Sequence, residues 1–294
     1  SPGTSRRPLR NRMFPELFRI GPVPINSYGT MIAIGFLISL YFIRRAARRE
    51  GIDPDLVSDA AFYILPVGLL GARLLHIAMF PSTYSWSDPI GWIAIWRGGL
   101  VFQGGPPAAM AFLWYYARRR GIAFWTIFDL AFPYLPLAHA FGRMGCFLKG
   151  CCYGKPTNVP WAIPARRVPW DLSQPPDGSP AYLDHLQRFS DMTPEAHWSH
   201  PIHPTQLYEL VGLLIVFGIM LALRKYWRPF PGFTLPVYLV LYGVLRFFVE
   251  MFRGDHNPVH VLGLSDQQAI CVGLVLLGVA VYFPLRARTA LPGN

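Results

Sequence analysis

Six ionisable residues fall within or at the edges of long apolar runs: Arg73, Asp129, Arg143, Glu209, Arg246 and Glu250. Arg253 closes the run that holds the last two. A charge at membrane depth costs roughly 2.5–3.5 kcal/mol on insertion scales, so each of these residues requires a partner or a purpose. Tyr242, Arg246, Glu250 and Arg253 are spaced four, four and three, which places them on one helical stripe. His139 and Arg143 are one turn apart, and Arg73 and His76 are three apart. A single such pair reads as a structural ion pair, with the other arginines reaching for the interface. Three helices that each present an arginine, with two carboxylates nearby, carry an excess of positive charge that calls for an anion. A guanidinium binds phosphate through two parallel hydrogen bonds, so a phospholipid head group is the ligand this chemistry selects.

Two further stretches carry chemistry. Gly98, Gly99, Gly104 and Gly105 surround Val101-Phe102-Gln103 and are followed by Pro106 and Pro107, a poor helix former. Irregular backbone at membrane depth is tolerated where it lines a cavity, so its NH groups and Gln103 are candidates to face a bound head group. The second stretch, Gly142-Arg-Met-Gly-Cys-Phe-Leu-Lys-Gly-Cys-Cys-Tyr-Gly154, gathers three thiols at C-x4-C-C spacing. Zinc is disfavoured because a fourth ligand is lacking unless His139 supplies it. A disulfide among them fits an oxidising compartment, and a structural role precedes a catalytic one. Cys271 stands alone in an apolar run, where packing is its expected role.

The elements that must position these residues follow from hydropathy. The chain has 294 residues, 52% of them apolar and 15% charged, with a mean hydropathy of +0.30. A soluble domain carries about 25% charge, so an ordinary cytosolic enzyme and a disordered chain are both excluded. Seven apolar stretches reach the roughly 20 residues of a membrane span: approximately 20–43, 60–80, 98–117, 121–142, 204–223, 229–253 and 266–285. The sequence therefore predicts an all-α polytopic membrane protein of seven transmembrane helices with a small periplasmic head.

The net charge of +11 is not a nucleic-acid signature, because the charges are not spread over a soluble face. Four basic clusters, Arg44 to Arg49, Arg118 to Arg120, Arg224 to Arg228 and Arg286 with Arg288, follow runs one, three, five and seven. Positive charge marks the cytoplasmic side, which places the amino terminus outside and the carboxyl terminus inside. Arg6, Arg7, Arg10, Arg12 and Arg19 run against this rule. Met13 is a candidate start, which would make residues 1–12 an upstream extension rather than a secretory signal. The expected organisation is a periplasmic tail at 1–19, helices one to four over 20–152, a head at 153–203, helices five to seven over 204–286 and a cytoplasmic tail at 287–294. The head, with nine prolines and nine charged residues in Tyr153–Pro201 and with Trp161, Trp170 and Trp198, is too polar to span and too aromatic for pure disorder. Pro81–Arg97, with Trp86, Trp92 and Trp96, reads as an interfacial segment on the same face.

From about Met13 to Arg286 the chain resembles the prolipoprotein diacylglyceryl transferases. The likeness rests on Pro24-Ile-Asn-Ser-Tyr-Gly29, Gly71-Ala-Arg-Leu74, Trp96-Arg-Gly-Gly-Leu-Val-Phe-Gln-Gly-Gly105, Gly142-Arg-Met-Gly-Cys-Phe147, His203-Pro-Thr-Gln-Leu-Tyr-Glu209 and Tyr242-Gly-Val-Leu-Arg-Phe-Phe-Val-Glu250. The resemblance implies transfer of the diacylglyceryl group of phosphatidylglycerol to the lipobox cysteine thiol of a preprolipoprotein signal peptide, releasing glycerol phosphate, in the bacterial inner membrane. It implies no cofactor and no metal. Arg143 and Arg246 match the family's essential arginines and Glu250 its partner carboxylate, while Tyr28 and Arg73 match further family positions. Gly98, Gly99, Gly104, Gly142, Gly145, Glu209, Tyr242 and Arg253 join Tyr28, Arg73 and Gln103 as expected substrate-binding residues.

The chain also departs from the family pattern. Cys146 and Lys149 stand where Asn is usual, Cys151 where Glu is usual, and Gln103 where many members carry a histidine proposed as base. Gln takes no proton, so His139 is the candidate to activate the incoming thiol. The alternative function is a paralogue that binds phospholipid or signal peptides without catalysis.

Overall fold

The computed structural model describes residues 16–20, 23–85, 87–94, 98–166, 179–193, 196–255, 260–261 and 263–290. Met13 and the basic residues of the first twelve positions, with Trp86, Trp96 and Trp170, lie outside the described residues. In chain order the elements are β1 (Glu16–Ile20), β2 (Val23–Asn26), α1 (Ser27–Arg49), α2 (Pro54–Met79), α3 (Pro89–Ile93), α4 (Gly105–Arg120), α5 (Phe124–Ala131), α6 (Leu135–Lys149), β3 (Ile163–Arg166), α7 (Pro180–Arg188), β4 (Trp198–Ile202), α8 (Thr205–Tyr226), α9 (Thr234–Glu250), β5 (His260–Val261), β6 (Leu264–Ser265) and α10 (Asp266–Ala290). The protein is predominantly helical. Among the described residues four helices, α1, α2, α8 and α10, are long and apolar enough to cross a membrane, which makes it a multi-pass membrane protein. Their outer faces carry exposed apolar side chains such as Leu37, Phe62, Leu74, Ile215 and Leu276, as lipid contact requires.

The structure corrects the expected spans in three places. The run at 121–142 is not one helix: α5 ends at Ala131 and α6 begins at Leu135, with Phe132-Pro133-Tyr134 between them. Pro133 and Pro136 remove two backbone donors within four residues, which ends one helix and allows a new one to start. The run at 98–117 becomes helical only at Gly105. The run at 20–43 opens with the β1–β2 hairpin, so α1 begins at Ser27. Three short two-stranded ladders thus qualify the all-α expectation.

The chain forms two compact units, residues 1–39 with 132–294, and residues 40–131. In the smaller one, Asp53 caps α2 by accepting from Asp55 N at 2.9 Å, with Pro54 in the first turn. Gly121, at φ +67°, closes α4 in the left-handed conformation that glycine adopts without strain. Three arginines occupy the last turn of α4, and Arg118 lies 4.3 Å from the Trp114 ring.

In the larger unit, α6 packs on α8, and α9 on both α8 and α10. Close approach of α9 and α10 depends on glycine: a Cβ on Gly243 would lie 2.8 Å from Val275 Cγ2 and 2.9 Å from the Cys271 carbonyl oxygen. Val216, Met220 and Tyr238 form a buried cluster, flanked by Phe132, Leu241, Tyr242 and Leu245. Here lies the frame of the candidate site.

The polar insert also folds. β3 pairs antiparallel with β4, and with α7 they bury Tyr153, Ala165, Ala181, Tyr182 and Ile202. The Ser179 side chain caps α7 by accepting from Tyr182 N, with Pro180 in the first turn. His185 is 1% exposed at the base of this cluster, and its Nδ1 has no hydrogen-bond partner among the described residues. Burial holds the imidazole below its ordinary pKa, assisted by His200 and Arg188 and opposed by Asp184. The native state therefore keeps His185 neutral while the unfolded chain takes a proton near pH 6.5. The contribution to stability is complete above about pH 6.5 and is lost as pH falls toward the folded value. Protease resistance of this insert should decline between pH 7.5 and 5.5 more steeply in the native protein than in His185→Asn. Equal slopes would remove His185 from the account.

Candidate active site

The residues expected to do chemistry divide between the two units. In the larger, α6 presents His139, Arg143 and Cys146 on one face at i, i+4 and i+7. Opposite them, the first turn and a half of α8 carries Thr205, Gln206 and Glu209, all buried. Glu209 Oε1 meets Arg143 Nη2 at 3.0 Å and His139 Nε2 at 3.8 Å, and its side chain is 1% exposed. On α9, Arg246 Nη1 and Glu250 Oε2 are 2.7 Å apart, one helical turn from each other, and both are buried. Both arginines lie within electrostatic reach of His139 and of Tyr242. The Tyr242 ring is 5.2 Å from the His139 ring and stacks on Tyr238 at 5.7 Å. Arg143, Arg246, His139, Glu209 and Tyr242 thus form one electrostatic group, with Arg246 and Glu209 buried and the other three half-buried.

The donors of this group are not all used. Arg143 Nε is buried and has no hydrogen-bond partner among the described residues, and Glu209 Oε1 accepts no well-directed bond although it is charge-paired. Buried polar atoms are nearly always satisfied, so an orphaned guanidinium NH points to a ligand. Gly142, next to Arg143, has open space where a Cβ would project. At Gly145 a Cβ would lie 3.1 Å from Tyr28 Cα and 3.2 Å from Met31 Cβ, so glycine there lets the start of α1 approach α6. Lys149 lies 5.7 Å from the Tyr28 ring.

Arg253 faces a carboxylate beyond the end of α9: Asp255 holds it in a fork, Nε to Oδ1 and Nη2 to Oδ2, both at 2.7 Å. Arg143, Arg246 and Arg253 therefore each meet a carboxylate, and Asp255 is a third one beside Glu209 and Glu250. No periodicity flags Asp255, because it lies beyond the helix end. Gln206 Nε2 donates to the Cys151 carbonyl at 2.7 Å, and Thr205 Oγ1 to the Cys152 carbonyl at 2.8 Å. Trp161 Nε1 donates to Tyr208 Oη at 2.6 Å, and Tyr208 meets His203 Nδ1 at 3.0 Å. These partners sit in the His203–Glu209 block, where the sequence signal was available only through the family resemblance.

The remaining candidates lie in the smaller unit. Arg73, 5% exposed, donates Nε to the Trp92 carbonyl at 3.1 Å and Nη1 to the carbonyls of Gly98 at 2.6 Å and Gly99 at 2.8 Å. Its Nη2 donates to Gly91 O, and its guanidinium lies 4.9 Å from the Tyr84 ring. Most of its donors are thus committed to backbone, and Arg73 is a scaffold for the carbonyls of Gly91, Trp92, Gly98 and Gly99. Gly98 and Gly99 have φ +84° and +75°, which turns their carbonyls toward the guanidinium. Gly104 packs against α2, where a Cβ would lie 2.7 Å from Leu75 Cβ. Gln103 has an exposed side chain in a single 3₁₀ turn ahead of α4. Asp129 is fully buried on α5. A Gly99→Ala substitution would meet Arg73 Nη1 at 2.6 Å as well as positive-φ strain. It should cost about 1–3 kcal/mol of stability and speed hydrogen exchange at the amides of Gly91, Trp92, Gly98 and Gly99. Unchanged exchange there would contradict the scaffold.

Apolar helices that enclose paired arginines and carboxylates define a membrane protein with charge concentrated in its interior. Residues 15–284 match the family model described as prolipoprotein diacylglyceryl transferase. The phosphatidylglycerol–prolipoprotein diacylglyceryl transferase of Aromatoleum aromaticum is 33% identical over 285 residues, covering 94% of this chain and 97% of that protein. Those of Azoarcus sp. (31%, covering 91% and 93%) and Geobacter sulfurreducens (32%, covering 95% and 97%) are similar over comparable lengths. The chain belongs to the prolipoprotein diacylglyceryl transferase family.

Proposed function

We propose that this protein transfers the diacylglyceryl group of phosphatidylglycerol to the lipobox cysteine thiol of preprolipoproteins, releasing glycerol phosphate. The observation that carries the reading is the buried, unsatisfied Nε of Arg143, in a group where Arg143 and Arg246 act on the same histidine and tyrosine. The substrate thiolate attacks the glycerol carbon that bears the phosphate ester, and charge builds on the leaving phosphate. Arg143 and Arg246 stabilise that charge; Glu250 orients Arg246, and Glu209 orients Arg143. His139, 3.8 Å from Glu209, or water takes the thiol proton. Tyr28 and Tyr242 line the head-group region, and Arg73 holds the backbone of Gly91, Trp92, Gly98 and Gly99. In the bacterial inner membrane, seven spans with the amino terminus periplasmic agree with the alternation of basic clusters.

Purified protein given labelled phosphatidylglycerol and a lipobox peptide should yield a diacylglyceryl peptide and glycerol phosphate. Folded protein that binds the lipid without transfer would establish the non-catalytic paralogue instead.

A further inference from the structure

Helix α6 ends at Gly150, whose φ of +74° folds the chain back so that Cys151 N bonds to the Cys146 carbonyl at 3.1 Å. Cys152 follows with φ +61°, the one non-glycine residue at positive φ among the described residues. A conformation of this kind is strained and persists where the surroundings impose it. The surroundings do so here, through the bonds from Gln206 and Thr205 to the carbonyls of Cys151 and Cys152. The result is a compact triangle: the sulfur atoms of Cys146, Cys151 and Cys152 all lie within 4.8 Å of one another, as unbridged thiols. Sequence spacing alone disfavoured a metal because a fourth protein ligand is missing. Three thiols converging on one point change that argument, since three protein ligands and one exchangeable position are the pattern of a catalytic rather than a structural zinc.

We infer that Cys146, Cys151 and Cys152 form a three-thiolate site for one zinc ion, whose fourth position takes the thiol of the substrate peptide. Zn–S bonds of about 2.3 Å in a tetrahedron place sulfur atoms about 3.8 Å apart, so small side-chain rotations complete the site. Thiolate ligands select soft, closed-shell ions. Four thiolates around Zn²⁺ leave two negative charges; Arg143 and Arg253, each also facing a carboxylate, lie within electrostatic reach of Cys152. The Tyr28 hydroxyl is within electrostatic reach of all three thiols. Cys146 shares a helix face with Arg143 and His139, which sets the ion beside the group proposed to grip phosphate.

The site supplies what Gln103 cannot. Coordination deprotonates the incoming thiol outright, and His139 receives the proton. The zinc-bound sulfur then forms a bond to the glycerol carbon with its lone pair. The carbon–oxygen bond breaks with its electron pair going to the phosphate, which departs as glycerol phosphate and recovers the proton through solvent. No oxidant or further reactant enters. This inference rests on the proposed transferase activity, and the experiment separates the two.

The full chain, reduced, stripped of metal and held in detergent, is titrated with Zn²⁺ and in parallel with Co²⁺. One equivalent should bind and protect three of the four cysteines from alkylation. Binding should be lost in Cys146→Ser, Cys151→Ser and Cys152→Ser and retained in Cys271→Ser. A lipobox peptide should shift the Co²⁺ spectrum by adding a fourth sulfur, and its Cys→Ser version should not. Stripping should slow transfer at least about a hundredfold, the scale of a positioned proton acceptor, with recovery on adding zinc. Transfer at full rate by stripped protein, a disulfide within the trio of the active enzyme, or metal binding without a peptide-induced shift would each overturn the zinc site while leaving the transferase intact. A peptide-induced shift in a folded protein that never transfers would overturn the transferase instead.

Discussion

Arg143→Ala is expected to lower the transfer rate roughly 100- to 1000-fold, the loss seen when one donor to a developing oxyanion is removed. The buried Nε without a partner and the exchange of charge with Glu209 make Arg143 the residue with most to offer a phosphate. Arg143→Lys should recover little of this, because an ammonium keeps the charge and loses the planar fork. The kinetic split matters. If the arginine acts on charge that grows during bond breaking, kcat falls while KM for phosphatidylglycerol changes modestly. A rise in KM with unchanged kcat would make Arg143 a ground-state tether and remove it from the chemical step.

Glu209→Ala is expected to cost about 3–5 kcal/mol of stability, because it leaves Arg143 buried without its counter-charge. At 1% exposure Glu209 has no water to replace the contact, and it is the group that joins α8 to both His139 and Arg143. The unfolding temperature in detergent should drop, and residual folded protein should be inactive. Glu209→Gln keeps the shape and one acceptor oxygen, so it should fold better than the alanine variant while still losing transfer. A stable, active Glu209→Ala protein would show that the pair contributes nothing to either.

These expectations were partly legible in the residues themselves. An arginine in an apolar run must be compensated, and that rule found Arg143, Arg246, Glu209 and Glu250, while helical spacing paired Arg246 with Glu250. The α6–α8 pairing of Arg143 with Glu209 was not legible, since nothing in spacing says which helices pack. Asp255 was missed for a related reason: it sits past the end of α9 and carries no periodic signal. For Arg73 the residue type said only that a partner was needed; the backbone carbonyls that the consecutive left-handed glycines at 98 and 99 deliver to it were not legible. Hydropathy also read 121–142 as one span because it averages over the prolines that divide α5 from α6. The thiol triangle depends on two left-handed turns, at Gly150 and Cys152, and on bonds from a helix some fifty residues further along. Only the glycine could have been anticipated from its residue type.

If Arg143 and Arg246 meet a single lipid phosphate, a structure of the protein with bound phosphatidylglycerol should show its phosphate oxygens within hydrogen-bonding distance of both guanidinium groups. The ester-bearing carbon should be turned toward the thiol end of α6. A phosphate held elsewhere, or by one arginine while the other remains closed on its carboxylate, would contradict it.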